Sequence, residues 1–166
     1  MTSQGFTGAD SDGSYQVMVA VHTLWIVCTG LEAFYTPLSM PGLLVALAVV
    51  VFAAAQFLRI AAIRTLGKQW NTRVMTTELT ADAHRVVAAG PYRYVRHPNY
   101  VAVILEFASL PLIGGAILTA LIGSIANLLV VRHRVLAEEA CLFKRPGYAA
   151  AFSDIPRFIP RIRLIK

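Results

Sequence analysis

"YVAVILEFASLPLIGGAILTALIGSIANLLVV", residues 100–131, runs for 32 residues with Glu106 as its one charged group. As a single α-helix it would be about 48 Å long, too long for a bilayer core of about 30 Å. Pro111 and the Gly114-Gly115 pair break the run near its middle. They divide it into halves of about 16 residues, each able to form an apolar helix. The run therefore predicts two helices, over 98–113 and 116–131, folded as a tight hairpin whose tip just reaches the far face. Its glycines and alanines allow the close helix contacts that association in lipid requires.

Working outward, the composition agrees. The chain of 166 residues is 57% hydrophobic and 14% charged, against about 25% charge in soluble domains. "QVMVAVHTLWIVCTGLEAFY", 16–35, is the first candidate span, with His22 and Glu32 as blemishes and Glu32 near enough to its end to reach water. "TPLSMPG" supplies a turn with two prolines. "GLLVALAVVVFAAAQFLRIAAI", 42–63, is the second span, interrupted only by Gln56 and Arg59. Gly67 then reads as a helix stop, followed by a polar segment with a short extended piece from Trp70 to Met75. Residues 1–15 are polar and Gly/Ser-rich without a basic n-region, which reads as a flexible tail and not as a secretory signal. Residues 16–166 form one membrane domain. The last segment, 132–166, is basic and amphipathic. It should continue as a helix to about Lys144 and then lie along the membrane interface.

All 15 Lys and Arg lie at or after Arg59, seven from Arg59 to Arg96 and eight from Arg132 to Lys166. A uniformly basic nucleic-acid binder would not look like this. Four spans with both termini inside place both blocks, 64–97 and 132–166, on the cytoplasmic face. The fold class is thus an all-α integral membrane protein with four transmembrane helices, the third and fourth a tight hairpin, plus a C-terminal amphipathic helix. Cys28 and Cys141 are far apart and show no CxxC or Cys/His metal spacing, so no metal site is expected. There is no GxGxxG after a strand, no Walker loop, no HExxH and no GxSxG.

The polar residues gather on one membrane face. In "GPYRYVRHPNY", 90–100, Pro98 suits the first turn of the third span because its missing N–H costs nothing there. Arg96 and His97 then stand at that helix's N-terminus, where the dipole and guanidinium favour an anion. Tyr92 and Tyr94 read as an interfacial aromatic belt. Downstream, in "RHRVLAEEACLF", Arg134 and Glu138 are four apart and share a helix face, which Asn127 and Val131 continue into the membrane. One of Glu138 and Glu139 could bind a cation or ribose hydroxyls, and Arg134 an acceptor's negative charge. Glu106, about two turns into the third span, is costly in lipid and should face a polar cavity. It reads either as a partner of Asn127 or Ser124 or as a proton taker near an acceptor.

"GPYRYVRHPNY", the apolar hairpin, "AEEACLF" and the late "RFIP" together resemble the isoprenylcysteine carboxyl methyltransferase family and the related phospholipid methyltransferases. The resemblance spans about Leu58 to Pro160 and takes in "TLG" at 65–67. It implies a membrane methyltransferase using S-adenosylmethionine, with Arg96, His97, Pro98, Tyr100, Glu138 and Glu139 lining the cofactor pocket. The family's FG-x-x-Y stretch is replaced by "KRPGYAAAF", in which Tyr148 takes the tyrosine's place. The amino-terminal part is short, which separates this chain from relatives with a larger prenyl pocket. The expected reaction is methyl transfer to a lipophilic acceptor entering from the bilayer, such as a long-chain phenol, pyrone or carboxylate. Glu106 and Arg134 would serve the acceptor. Sterol reductases share a similar C-terminal module and use a nicotinamide cofactor, so an NADPH-dependent reductase is the alternative, with a non-catalytic scaffold on anionic lipid as a third.

Overall fold

The computed structural model describes residues 8–70 and 86–160. Among these it is all helical: α1 (Gly8–Tyr35), α2 (Gly42–Leu66), α3 (Pro98–Ile113), α4 (Ile117–Leu142) and a short α5 (Tyr148–Phe152). Single 3-10 turns occupy Gly67–Gln69 and Gly90–Arg93. Three stretches are long and apolar enough to cross a membrane, Gly13–Tyr35, Gly42–Gln69 and Ile117–Leu142, whereas α3 is shorter, at 16 residues.

The helix boundaries follow local chemistry. α2 stops at Gly67, whose φ of 54° suits glycine and whose N–H donates to the Ile63 carbonyl. α3 begins with Pro98 at its first position, after His97 in a non-helical conformation. Gly114, Gly115 and Ala116 alone connect α3 to α4. Gly115 has φ 74°, and a Cβ there would stand 2.6 Å from the Leu38 carbonyl oxygen. The Leu38 N–H donates to the Gly115 carbonyl at 3.3 Å. The α1–α2 and α3–α4 turns therefore meet at one end of the molecule.

Small residues set the packing. The buried positions of α2 are Ala48, Ala55 and Ala62, every seventh residue, and α3, with Ala102 fully buried, lies against that helix. α1 joins through Trp25, which stacks on Phe107 with ring centroids 4.2 Å apart. Gly123 of α4 leaves room for the indole, since a Cβ there would sit 2.7 Å from it. Large apolar side chains such as Leu24, Leu43, Phe57 and Leu121 point outward, Leu43 being 81% exposed. Apolar surface on this scale marks contact with lipid.

Two expectations change and one lies outside the described residues. α1 starts at Gly8, so residues 8–15 continue the helix where a flexible tail was expected. The extended piece from Trp70 to Met75 lies, beyond Trp70, outside the described residues. α4 runs on to Leu142, close to the expected helix end near Lys144, but the helix that follows, α5, has five residues and packs inward: Tyr148 and Phe152 join Ala62 and Tyr92 in one buried cluster. Gly147, after Pro146, stands before α5 in the left-handed region at φ 79°.

Candidate active site

The two motifs, some forty residues apart in sequence, meet at the end opposite the turns. His97 Nε2 lies 3.1 Å from Glu139 Oε1, and Arg96 Nη1 lies 3.2 Å from the same oxygen. Beside this junction is a cavity of about 130 Å³, walled by Tyr92, Arg96, His97, Asn99, Tyr100, Glu138, Arg145 and Tyr148 with Leu66, Trp70, Val86, Leu142 and Phe152. It is bounded by the ends of α2 and α4, the start of α3, and α5. Gly90 brings the collar close to α2: at φ 52°, a Cβ would come within 2.6 Å of Thr65 Oγ1. That contact ties "TLG" to "GPYRY".

Glu138 is surrounded by phenols. Tyr100 stands beside Glu138 in the cavity wall, with Arg134 close to it. Burial, and then the Glu138 charge, push the Tyr148 hydroxyl up to about 12. The same two causes raise Tyr92. Both phenols stay neutral at ordinary pH and act as hydrogen-bonding groups. Among the described residues, two polar atoms in the lining groups are buried without a partner, Arg96 Nε and Asn99 Oδ1. Unsatisfied buried polar atoms are costly and mark places where a ligand or water completes the bonding.

Of the residues singled out from sequence, Arg96, His97, Tyr100, Glu138 and Tyr148 wall the cavity. Pro98 is buried beneath the collar as the first residue of α3. Glu139 turns away from the cavity and engages His97, Arg96 and Arg157. Arg134 is 3% exposed and sits behind Tyr100, with Nη1 also 3.5 Å from the Ser14 carbonyl. Glu106 lies deeper. Its expected partners Asn127 and Ser124 have no hydrogen bond to it. Instead its carboxylate takes Gln56 Nε2 at 2.9 Å and Arg59 Nε at 2.7 Å, and the Arg59 Nη2 also donates to it. Both carboxylate oxygens are thus engaged by α2, which ties Glu106 to its neighbouring helix.

Sequence reading missed several groups. Tyr92, expected in an interfacial belt, is buried in the cavity wall, while Tyr94 is exposed as a belt residue would be. Asn99, Arg145 and Trp70 also line the cavity. The signal for Arg59 was present, since it and Gln56 are the polar interruptions of an otherwise apolar span.

The model of the isoprenylcysteine carboxyl methyltransferase (ICMT) family matches residues 46–144, which include the collar, α3 and the Glu138-Glu139 pair. A Bacillus subtilis (strain 168) protein described as uncharacterized protein YpbQ is 29% identical over 131 residues, 79% of this chain and 75% of its own length. No solved structure matches.

Proposed function

The chain belongs to the isoprenylcysteine carboxyl methyltransferase family, and on that premise we propose that it moves a methyl group from S-adenosylmethionine to a lipophilic acceptor at the cavity between the collar and Glu138. The observation that carries this reading is the single wall formed by Arg96, His97, Asn99, Tyr100 and Glu138, with two buried polar atoms left unsatisfied.

The residues fit that cofactor by charge. Arg96 and Asn99 suit a carboxylate, Glu138 an ammonium or ribose hydroxyls, and the faces of Tyr92, Tyr100 and Tyr148 a sulfonium or a base. At about 130 Å³ the cavity is below the roughly 300 Å³ of common ligand sites, so binding requires wall side chains to move apart. When bound, the cofactor supplies an already activated methyl group, so the protein's task is alignment and exclusion of water. Tyr100 links the cofactor wall to Arg134. That arginine is the group to hold an acceptor's negative charge, whether carboxylate, phenolate or enolate. O-methylation of a long-chain phenol, pyrone or carboxylate follows from that charge. Glu106 holds Arg59 in place, and its part is structural support of the neighbouring helices.

The same reading gives the topology. α3 is about 24 Å long and crosses a bilayer that is thinned or met by snorkelling side chains. It thereby makes a fourth span. The cavity end, which carries Arg64, Lys68, Arg93, Arg96, Arg132, Lys144 and Arg145, faces the cytoplasm.

Calorimetry of the detergent-solubilised protein with S-adenosylhomocysteine tests the cofactor. Binding is expected, and Glu138→Gln should weaken it about tenfold, the loss of one charge-assisted bond. Binding of NADPH in its place would make the protein a reductase. Transfer of a labelled methyl group into a lipid extract would then reveal the acceptor.

A further inference from the structure

After α5 the chain folds back across the collar. The Arg96 N–H donates to the Pro156 carbonyl at 2.8 Å, and the His97 N–H to the Arg157 carbonyl at 3.1 Å. The Arg157 side chain then reaches over the collar: Nε and Nη2 donate to Glu139 Oε2 at 2.9 and 2.6 Å. The other oxygen, Oε1, faces His97 and Arg96. One carboxylate is thus divided, one oxygen to the strap and one to the two side chains that wall the cavity. Phe158 flanks the His97 ring, with centroids 6.2 Å apart. Arg157 opens the "RFIP" stretch, downstream of the matched residues 46–144.

We propose that Arg157 is a positioning residue for the cofactor site, resting on the function given above: it fixes the rotation of Glu139, and Glu139 fixes the His97 ring and the Arg96 guanidinium. The terminal carboxylate torsion of a glutamate is soft. Without Arg157, Oε2 has lost its donors, and the carboxylate turns to take Arg96 with both oxygens. That fork-to-fork geometry is the favoured one for an arginine and a carboxylate, and it draws the guanidinium away from the cavity. Arg157 itself is about half exposed, so its ion pair contributes little to folding stability. Its effect belongs in cofactor affinity, through pre-organisation of the wall.

The experiment compares wild type, Arg157→Ala, Arg157→Lys, Glu139→Gln and the Arg157→Ala/Glu139→Gln double variant. The readouts are S-adenosylhomocysteine Kd, S-adenosylmethionine KM, kcat and the detergent Tm. Arg157→Ala should raise Kd and KM about tenfold, with kcat changed less than about twofold and Tm nearly unchanged. Arg157→Lys should restore a large part of the affinity, because it keeps the charge beside Oε2. The double variant should bind no worse than the weaker single variant, since both act on one linkage. Unchanged affinity in Arg157→Ala overturns the proposal. Additive losses, or a fall in Tm that parallels the fall in affinity and is not relieved by lysine, do so as well. A wild-type protein that binds no S-adenosylhomocysteine sinks the functional reading first and the positioning role with it.

Discussion

Glu138 and Glu139 are adjacent in sequence but about 100° apart around α4, and that rotation gives them different work. Glu138 faces the cavity and three tyrosines, whereas Glu139 faces His97 and the strap. The pair was legible as important from its acidity in a basic segment. Its division of labour was not, because the partner of Glu139, Arg157, lies 18 residues downstream, beyond α5. Glu106 teaches the same lesson. An ionisable group two turns into an apolar helix announces a partner, yet sequence pointed across to α4, while the alanine stripe of α2 brings Arg59 nearer. Removing one partner of a buried pair strands the other's charge. Arg59 is about one-third exposed and Glu106 nearly buried, so Arg59→Met should cost about 1–3 kcal/mol, seen as a fall in detergent Tm. Arg59→Met combined with Glu106→Gln should recover more than half of that loss, since no charge is stranded. A double variant as unstable as the sum of the singles would mean that the two residues act separately.

At the scale of elements, sequence placed α3 at 98–113, where the structure has it, because proline and glycine punctuate both ends. It placed the break before α4 within a residue. What it could not give is how α4 is capped. The residue before α4 is Ala116, which has no side chain to offer. Glu32 of α1 takes the cap from a distance: its carboxylate accepts the Leu118 N–H at 2.9 Å, and the Thr119 N–H and hydroxyl at 2.7 and 2.6 Å. A carboxylate at a helix N-terminus also complements the helix dipole. Sequence gave Glu32 only an escape to water, because the meeting of the two turns through Leu38 and Gly115 is a tertiary fact. Glu32→Ala should destabilise the protein by about 1 kcal/mol, the usual value of a lost cap, and speed hydrogen exchange at the Leu118 and Thr119 amides. Unchanged exchange there would show that the cap carries no weight.

For the whole molecule, the decisive feature is that its two ends differ. The turns at 36–41 and 114–116 contain no Lys or Arg, and they touch each other. The opposite end carries the collar, the glutamate pair and the cavity. On the proposed topology the basic end faces the cytoplasm by the positive-inside rule, the orientation that charge counting along the sequence predicts. The weak link is α3, since a 16-residue helix spans only about 24 Å. On the proposed four-span topology, its packing between α2 and α4 holds it in register while the bilayer adjusts locally. Single cysteines decide the matter in a Cys28→Ala/Cys141→Ala background. Ser39→Cys, at the turn end, should react with an impermeant maleimide added to intact cells. Lys144→Cys, at the cavity end, should react only after the membrane is opened. If both positions label from the same side, then α1 and α2 do not cross as a pair, and the proposed topology is wrong.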